Sequence, residues 1–400
     1  MGELLEVLFF SLAAIGLCAL LLQCGALRRH LRPAPGAGQT AAHPDGRADS
    51  SPGISILKPL CGIDDQLEQN LATFAALPYP RYEVLLGVKS ARDPAFAIAR
   101  AAARRWPERM RVVLQRFDAG LNPKVNQLVG LARAARHDLL VISDSNVRVR
   151  PDYLHGIAAA LADPAVGLVT HPVAGVGERR LGSVLENLHL AGSVAPGMVA
   201  AHRLAGRDLV VGKSMALRRA DLSRLGGFES VRNVLAEDYV LGVRVRRALG
   251  LRVVVARTPV ENVNEARAVR AFLERYVRWS VMQRKLVGTP TFAAQAVLNP
   301  VLLGAAGLAA GRDPRALAAF LLVCAAKIAL DAANGRCLRP GGFALRHLLL
   351  VPLKDLAFGA AFLQGFLSDE VEWRGHRLRV LTGSVLEPVP LEDGPVVVEA

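Results

Sequence analysis

The chain has 400 residues, 52% of them hydrophobic, with a mean hydropathy of +0.29. That is more apolar than a soluble α/β protein requires and implies that part of the chain lies in a membrane. Lys and Arg outnumber Asp and Glu by 49 to 35, a formal net charge of +14, but aromatics are only 5% and the arginines are spread along the chain without the interleaved rings of a nucleic-acid surface. Of the three partners this charge would fit, an anionic membrane surface, a phosphate-bearing substrate or nucleic acid, the membrane ranks first. The five cysteines, at 18, 24, 61, 324 and 337, form no C-x-x-C pair and no zinc-ligand spacing, which argues against a disulfide framework or structural metal and for a reducing compartment.

Residues 4–27 are almost entirely apolar and are followed by Arg28, Arg29, His30 and Arg32. At about 1.5 Å of rise per residue the run is long enough to span a bilayer. Glu3 precedes it, Glu6 lies near its outer end and the arginines follow, the reverse of a cleaved signal peptide, so it reads as an anchor with its amino end outside and the rest inside. Residues 33–53, rich in Pro, Gly, Ala and Asp, show no periodicity and read as a tether.

From Ile54 short apolar runs alternate with helical stretches. Strands are expected at 54–60, 82–88, 111–115, 138–143, 166–170 and 252–256, and helices near 65–77, 94–105, 124–136, 178–191 and 238–249. Such alternation specifies a mostly parallel sheet covered by helices. The last quarter turns apolar again, with interrupted membrane segments at 292–311, 316–335 and 343–367. Lys327 and Asp331 lie four apart on one helical face and Lys354 adjoins Asp355, so these charges pair inside a bundle or lie near an interface. The polar stretch after Ser368 is expected to be surface-lying or loose.

The stretch Asp138-Leu-Leu-Val-Ile-Ser-Asp144 is a buried strand ending in an acid, at the sheet edge where α/β folds bind ligands. Asp144 is either aimed at a ligand or a turn acid capping the helix that Pro151 opens. Asp93, after the second strand, can share a pocket with Asp144 or cap the helix begun by Pro94, and the two roles are compatible. Lys124, between Asn122 and Asn126 at a helix start, opposes the helix dipole unless an anion sits there; a solvated lysine is the bland alternative. Glu237 and Asp238 either favour the dipole of the helix they open, or supply a general base. Neighbours on a helix diverge by about 100°, so only one of them can face a reacting hydroxyl. Arg275 and Arg278 share a helical face and can grip a diphosphate, while Trp279 beside them also suits a membrane interface.

Together, Lys58-Pro-Leu-Cys-Gly-Ile-Asp64, Asp93-Pro94, Asn122-Pro-Lys-Val-Asn126, Asp144-Ser145, Gly212-Lys-Ser-Met, Gly226-Gly-Phe, Ala236-Glu-Asp-Tyr239, Arg275-x-x-Arg278-Trp279 and the late Glu372-Trp-Arg-Gly-His-Arg resemble the D, D, D, (Q/R)xxRW signature of processive-type glycosyltransferases. In wording the set is similar to the ceramide glucosyltransferases of glycosyltransferase family 21. The resemblance implies an α/β GT-A catalytic domain at 54–288, with an anchor at 1–32, a linker at 33–53, membrane helices at 289–368 and a tail at 369–400. It implies an inverting transfer of glucose from UDP-glucose to the primary hydroxyl of ceramide or a similar lipid. Asp93 would bind the uridine portion, Asp144 the diphosphate through a divalent cation (Mg2+ or Mn2+), and Asn122, Lys124 and Asn126 would contribute to donor binding. Asp238 would be the base, with Arg275, Arg278 and Trp279 closing the site. One departure is that the usual D-x-D reads Asp144-Ser145-Asn146, and Asn146 offers a metal only a neutral oxygen. The implied protein is multi-pass, in a bacterial inner membrane, with its catalytic domain cytoplasmic. Alternatives are a lipid glycosyltransferase using UDP-N-acetylglucosamine or a hopanoid-type acceptor, and a non-catalytic nucleotide-sugar-binding membrane protein.

Overall fold

The computed structural model describes residues 2–32 and 51–389; residues 33–50 of the expected tether lie outside them. Helix α1 (Gly2–Leu31) comes first. The series β1 (Ile54–Leu60), α2 (Leu67–Ala75), β2 (Tyr82–Val88), α3 (Ala95–Arg105), β3 (Met110–Leu114), α4 (Pro123–Ala134) and β4 (Leu139–Ser143) then alternates as the hydrophobic pattern predicts. Strands β1 to β4 pair in parallel, and every residue of β2 and β4 is buried, as expected of strands covered on both faces.

The chain continues through β5 (Val147–Arg148), α5 (Tyr153–Leu161), β6 (Val166–Thr170), β7 (Val173–Val176), α6 (Leu181–His189), a π-helical turn at Leu190–Val194, and α7 (Ala195–Ala205). Next come β8 (Ser214–Arg218), α8 (Arg219–Arg224), α9 (Glu237–Leu249), β9 (Arg252–Val255), β10 (Val260–Val263) and α10 (Val269–Val287). The seven-stranded sheet has the order β3-β2-β1-β4-β8-β6-β9, with β8 antiparallel to both neighbours, and β5-β10-β7 form a side sheet. Alternate side chains feed two cores. Ile54, Val84, Leu86 and Val141 pack with Phe74 and Tyr153 on one face, and Leu57, Leu85, Leu140 and Ile142 pack with Val125 and Met215 on the other.

The apolar last quarter holds α11 (Thr289–Ala294), α12 (Pro300–Gly311), α13 (Pro314–Leu338), α14 (Leu345–Leu348) and α15 (Val351–Leu367). Among the described residues three helices are long and apolar enough to cross a membrane: α1, α13 and the run Leu345–Leu367. The segment expected at 292–311 is instead bent by 80° between Thr289–Leu298 and Pro300–Gly311. Asn299-Pro300 explains the break, since a residue before proline avoids helical backbone and the Asn299 side chain accepts the Leu302 N–H at 3.1 Å, capping a new helix. Helix α1 packs along α12, α13 and α7, and His30 in its last turn donates from Nε2 to the Ala256 carbonyl (3.0 Å), fastening the anchor to the α/β domain.

The paired charges of the apolar helices meet in one buried, charge-neutral cluster. Lys354 reaches Asp331 at 3.0 Å and Asp355 at 2.6 Å, and Lys327 binds Asp331 and lies 3.5 Å from Asp355. Removing one member leaves a buried charge uncompensated, so Lys354→Met is expected to cost about 3–5 kcal/mol. The neutral pair replacement Lys327→Leu with Asp331→Leu should cost less. Melting curves of the detergent-purified variants check this; equal melting temperatures for Lys354→Met and the wild type would refute it.

After Ser368 the described chain is not loose. β11 (Glu370–Trp373), β12 (His376–Val380) and β13 (Leu386–Pro388) form an antiparallel sheet. Its alternating Val371, Leu378, Val380 and Leu386 bury against Leu235 and Val281, contacts too distant in sequence for a local pattern to reveal.

Candidate active site

Asp144 follows β4 directly, at the carboxyl edge of the sheet, and Asp93 follows β2, two strands away. Both line a single cavity of about 930 Å³ that also receives Lys124, Lys213, Glu237, Asp238, Arg275, Arg278 and Trp279. The expected acids are thus brought together. Asp93 lines the cavity and holds the start of α3: its Oδ1 accepts the Ala95 N–H at 2.9 Å and also the Gly62 N–H at 2.9 Å.

Asp144 is gripped by two ammonium groups, Lys124 at Oδ1 and Lys213 at Oδ2, both at 3.0 Å. Burial would raise its pKa, but these lysines outweigh burial and hold the carboxyl well below its usual range. Lys124 also contacts Glu237 at 2.9 Å and the Gly212 carbonyl at 3.2 Å; against burial, its acidic neighbours raise its pKa, so it stays charged. Lys213 belongs to a quoted motif to which the sequence attached no role. Its ammonium bridges Asp144 Oδ2 and Asn146 Oδ1 (2.9 Å), so two protein oxygens converge on one cationic point. Beneath them, buried Lys58 donates to the Asp144 carbonyl at 2.8 Å, and burial lowers its pKa to about 7.

Asn122 and Asn126, expected at the donor, lie behind the cavity wall rather than on it. Asn122 is fully buried as the N-cap of α4, accepting from Lys124 and Val125 N–H and donating to the Val234 carbonyl (2.7 Å) and Glu237 (3.3 Å). Asn126 binds both backbone groups of Gly120 and reaches Asp118. Both amides are consumed in holding loops, and Asn122 thereby orients Lys124.

The two adjacent acids opening α9 diverge as helix geometry demands. Glu237, 4% exposed, turns to Lys124 and Asn122. Asp238 accepts the N–H groups of Gly212 and Tyr239. Gly212 permits this approach, because a Cβ there would stand 2.7 Å from Asp238 Oδ2 and 2.9 Å from Lys124 Nζ. Burial, then the Glu237 charge, push the Asp238 carboxyl up to about 6, a value suited to a base near neutral pH. The C-terminal sheet braces this region: Leu235 and Ala236 N–H donate to Ser384, and Leu386 N–H donates to the Asn233 carbonyl.

A second cationic wall comes from α10. Arg275 donates to the fully buried Glu186 at 2.6 Å and lies over the Trp279 ring, which packs edge-on against Tyr276. Trp279 therefore belongs to the cavity wall. Burial, then Arg275 and Arg267, lower the Arg278 pKa to about 10, so these guanidiniums crowd one another and leave positive potential for an anion. Arg267, Trp373, Arg374 and His376 also line the cavity without a role assigned from the sequence, and buried Glu186 stands behind Arg267 and Arg275 as their partner; of the lining residues, Arg267 lies outside the quoted motifs. Trp373, Arg374 and His376 lie in the quoted late motif, whose position in space only the C-terminal sheet reveals.

As for the implied cation, no group of three or more Asp, Glu, His or Cys among the described residues could hold a metal. Asp144 and Asn146 nevertheless supply two oxygens around one cationic position, which fits a hard divalent ion whose remaining ligands come from a diphosphate and water.

From the sheet's carboxyl edge the cavity runs on between α1, α7, α12 and α15, where Leu22, Met198, Leu302 and Phe362 line it. An α/β sheet with acids at its carboxyl edge, facing two cationic walls, defines a GT-A glycosyltransferase, here a membrane protein. The model of glycosyl transferase family 21 matches residues 8–386, and the chain belongs to that family. Ceramide glucosyltransferase 1 of Caenorhabditis elegans is 25% identical over 348 residues, 83% of this chain and 72% of that protein. Ceramide glucosyltransferase 3 of the same organism is 27% identical over 238 residues, 58% of this chain and about half (51%) of that protein. A mannosyltransferase from Pyrobaculum calidifontis, solved with GDP-Man and Mn2+, shares the fold with a TM-score of 0.52 at 21% identity, covering 90% of this chain and 99% of that one.

Proposed function

We propose that the enzyme transfers glucose from UDP-glucose to the primary hydroxyl of ceramide or a similar lipid, with inversion. The observation that carries this reading is the single cavity joining the charged donor edge to the apolar helices, which lets a lipid hydroxyl meet a nucleotide sugar. Asp238 takes the acceptor proton as the lipid oxygen bonds to the sugar's anomeric carbon. The bond from that carbon to the diphosphate breaks, and UDP departs with the electron pair. Lys124, Lys213, Arg275 and Arg278 offset the developing charge on the leaving group. A divalent cation, when bound, would add to that neutralisation, held by Asp144 with Asn146 as a neutral ligand. Asp93 holds the uridine side.

Lipid mass spectrometry of cells with and without the gene tests the acceptor: a hexosylceramide present only with the gene supports this reading. An N-acetylhexosamine-bearing or hopanoid product would assign the alternative donor or acceptor.

The same reading places the 54–288 domain in the cytoplasm, because Arg28, Arg29 and His30 end the first span. A cysteine introduced at exposed Arg150 should resist an impermeant thiol reagent added outside intact cells. Labelling from outside would overturn both the orientation and a cytoplasmic donor.

A further inference from the structure

Helix α1 carries a single amide side chain in its apolar run, Gln23. A polar group at membrane depth is costly unless it is paired or faces a cavity. Gln23 is half-buried and lines the cavity, and its side chain makes no hydrogen bond among the described residues. Gly16, Gln23 and His30 recur every seven residues, two turns apart, and so lie on one face of α1. At Gly16 that face is pressed so closely on the Val297 carbonyl that no Cβ would fit, and at His30 it is fastened to the Ala256 carbonyl. Between these two fixed points it meets open space. Gly197 of α7, which also lines the cavity, stands opposite: a Cβ there would meet Gln23 Oε1 at 3.9 Å and no other described atom within 4 Å outside its own stretch of helix.

The space at this crossing is continuous with both the outside and the base. Leu22 on α1 and Leu204 on α7 line the cavity and are nonetheless 66% and 63% exposed. The cavity therefore opens sideways onto the apolar surface beside these two helices, and α1 is long and apolar enough to set that surface against a bilayer. Inward, Val210, Val211 and Gly212 line the cavity as far as Asp238, which accepts the Gly212 N–H.

We infer that the lipid acceptor enters through this side opening between α1 and α7, and that Gln23 holds the polar part of the lipid there by hydrogen bonds. A side-chain amide offers both N–H donors and an oxygen acceptor. It can therefore pair with the N–H and the carbonyl of an amide-linked lipid together, whereas an ester linkage presents only acceptors. The role of Gln23 rests on the lipid-acceptor reading above and adds to it a route of entry and a residue that selects among lipids.

The test is equilibrium binding of fluorescent short-chain ceramide to full-length detergent-purified protein, with UDP affinity measured alongside. Gln23→Leu, an apolar change within an apolar helix, should weaken ceramide binding by about tenfold, the worth of one hydrogen bond in such a site, and leave UDP affinity unchanged. Gln23→Asn keeps the amide and should retain part of the affinity. Gly197→Leu fills the opening and should weaken ceramide binding at least as much, again at constant UDP affinity. Unchanged ceramide affinity in Gln23→Leu or Gly197→Leu, a parallel loss of UDP affinity in Gln23→Leu, or no ceramide binding by the wild type overturns the inference. Ceramide binding that depends on Gln23, without glycosylation on adding UDP-glucose, overturns the proposed reaction and leaves the role of Gln23 standing; glycosylation of ceramide with the same KM in wild type and Gln23→Leu does the reverse.

Discussion

Asp238→Asn ends transfer to lipid while UDP still binds. Loss of a general base lowers the rate by about a hundred- to ten-thousandfold with little effect on ligand affinity. Asp238 lines the cavity and is held by two backbone N–H groups, whereas Glu237 is committed to Lys124 and Asn122. Glu237→Gln should therefore be milder and act through the position of Lys124. The base works only when deprotonated, and its pKa is raised from 3.8 to about 6. Hence kcat/KM should fall as pH drops through about 6, with full activity above it, and Asp238→Asn should lose that acid limb. If Glu237→Gln loses turnover while Asp238→Asn keeps it, the roles are reversed.

Asp144→Asn should remove the response of donor binding to divalent cations. In the wild type, Mg2+ or Mn2+ is expected to tighten UDP-sugar binding; without the carboxylate that tightening, about 10- to 100-fold, should vanish. In EDTA the variant and the wild type should bind UDP similarly, because Lys124 retains Glu237 as a partner and the Arg275 wall is untouched. Titration calorimetry with and without cation reads this directly. An unchanged cation response in Asp144→Asn would remove Asp144 from any metal site.

The parallel half of the sheet was legible because buried strands and their crossover helices carry long, one-kind patterns, and Asp93 and Asp144 were legible because they follow β2 and β4. Lys124 and Asp238 were legible through motif wording and helix geometry. For Asn122 and Asn126 the motif shows that they cluster near Lys124 but not which way their side chains turn, and both amides hold loops. Lys213 stood in a quoted motif without a role, because it lies just before β8, an antiparallel strand of five residues, and it comes beside Asp144 only through the β4–β8 pairing. The C-terminal sheet and the bend at Asn299 depend on contacts or caps that hydropathy windows average away.

The most direct test of a single-displacement transfer to lipid is the linkage of the product. Purified full-length protein is incubated with UDP-α-[13C]glucose and ceramide, and the lipid fraction is examined by NMR. Labelled glucosylceramide with the β configuration, absent with Asp238→Asn, is the predicted result; an α-linked product, or labelled free glucose with no labelled lipid, would contradict it.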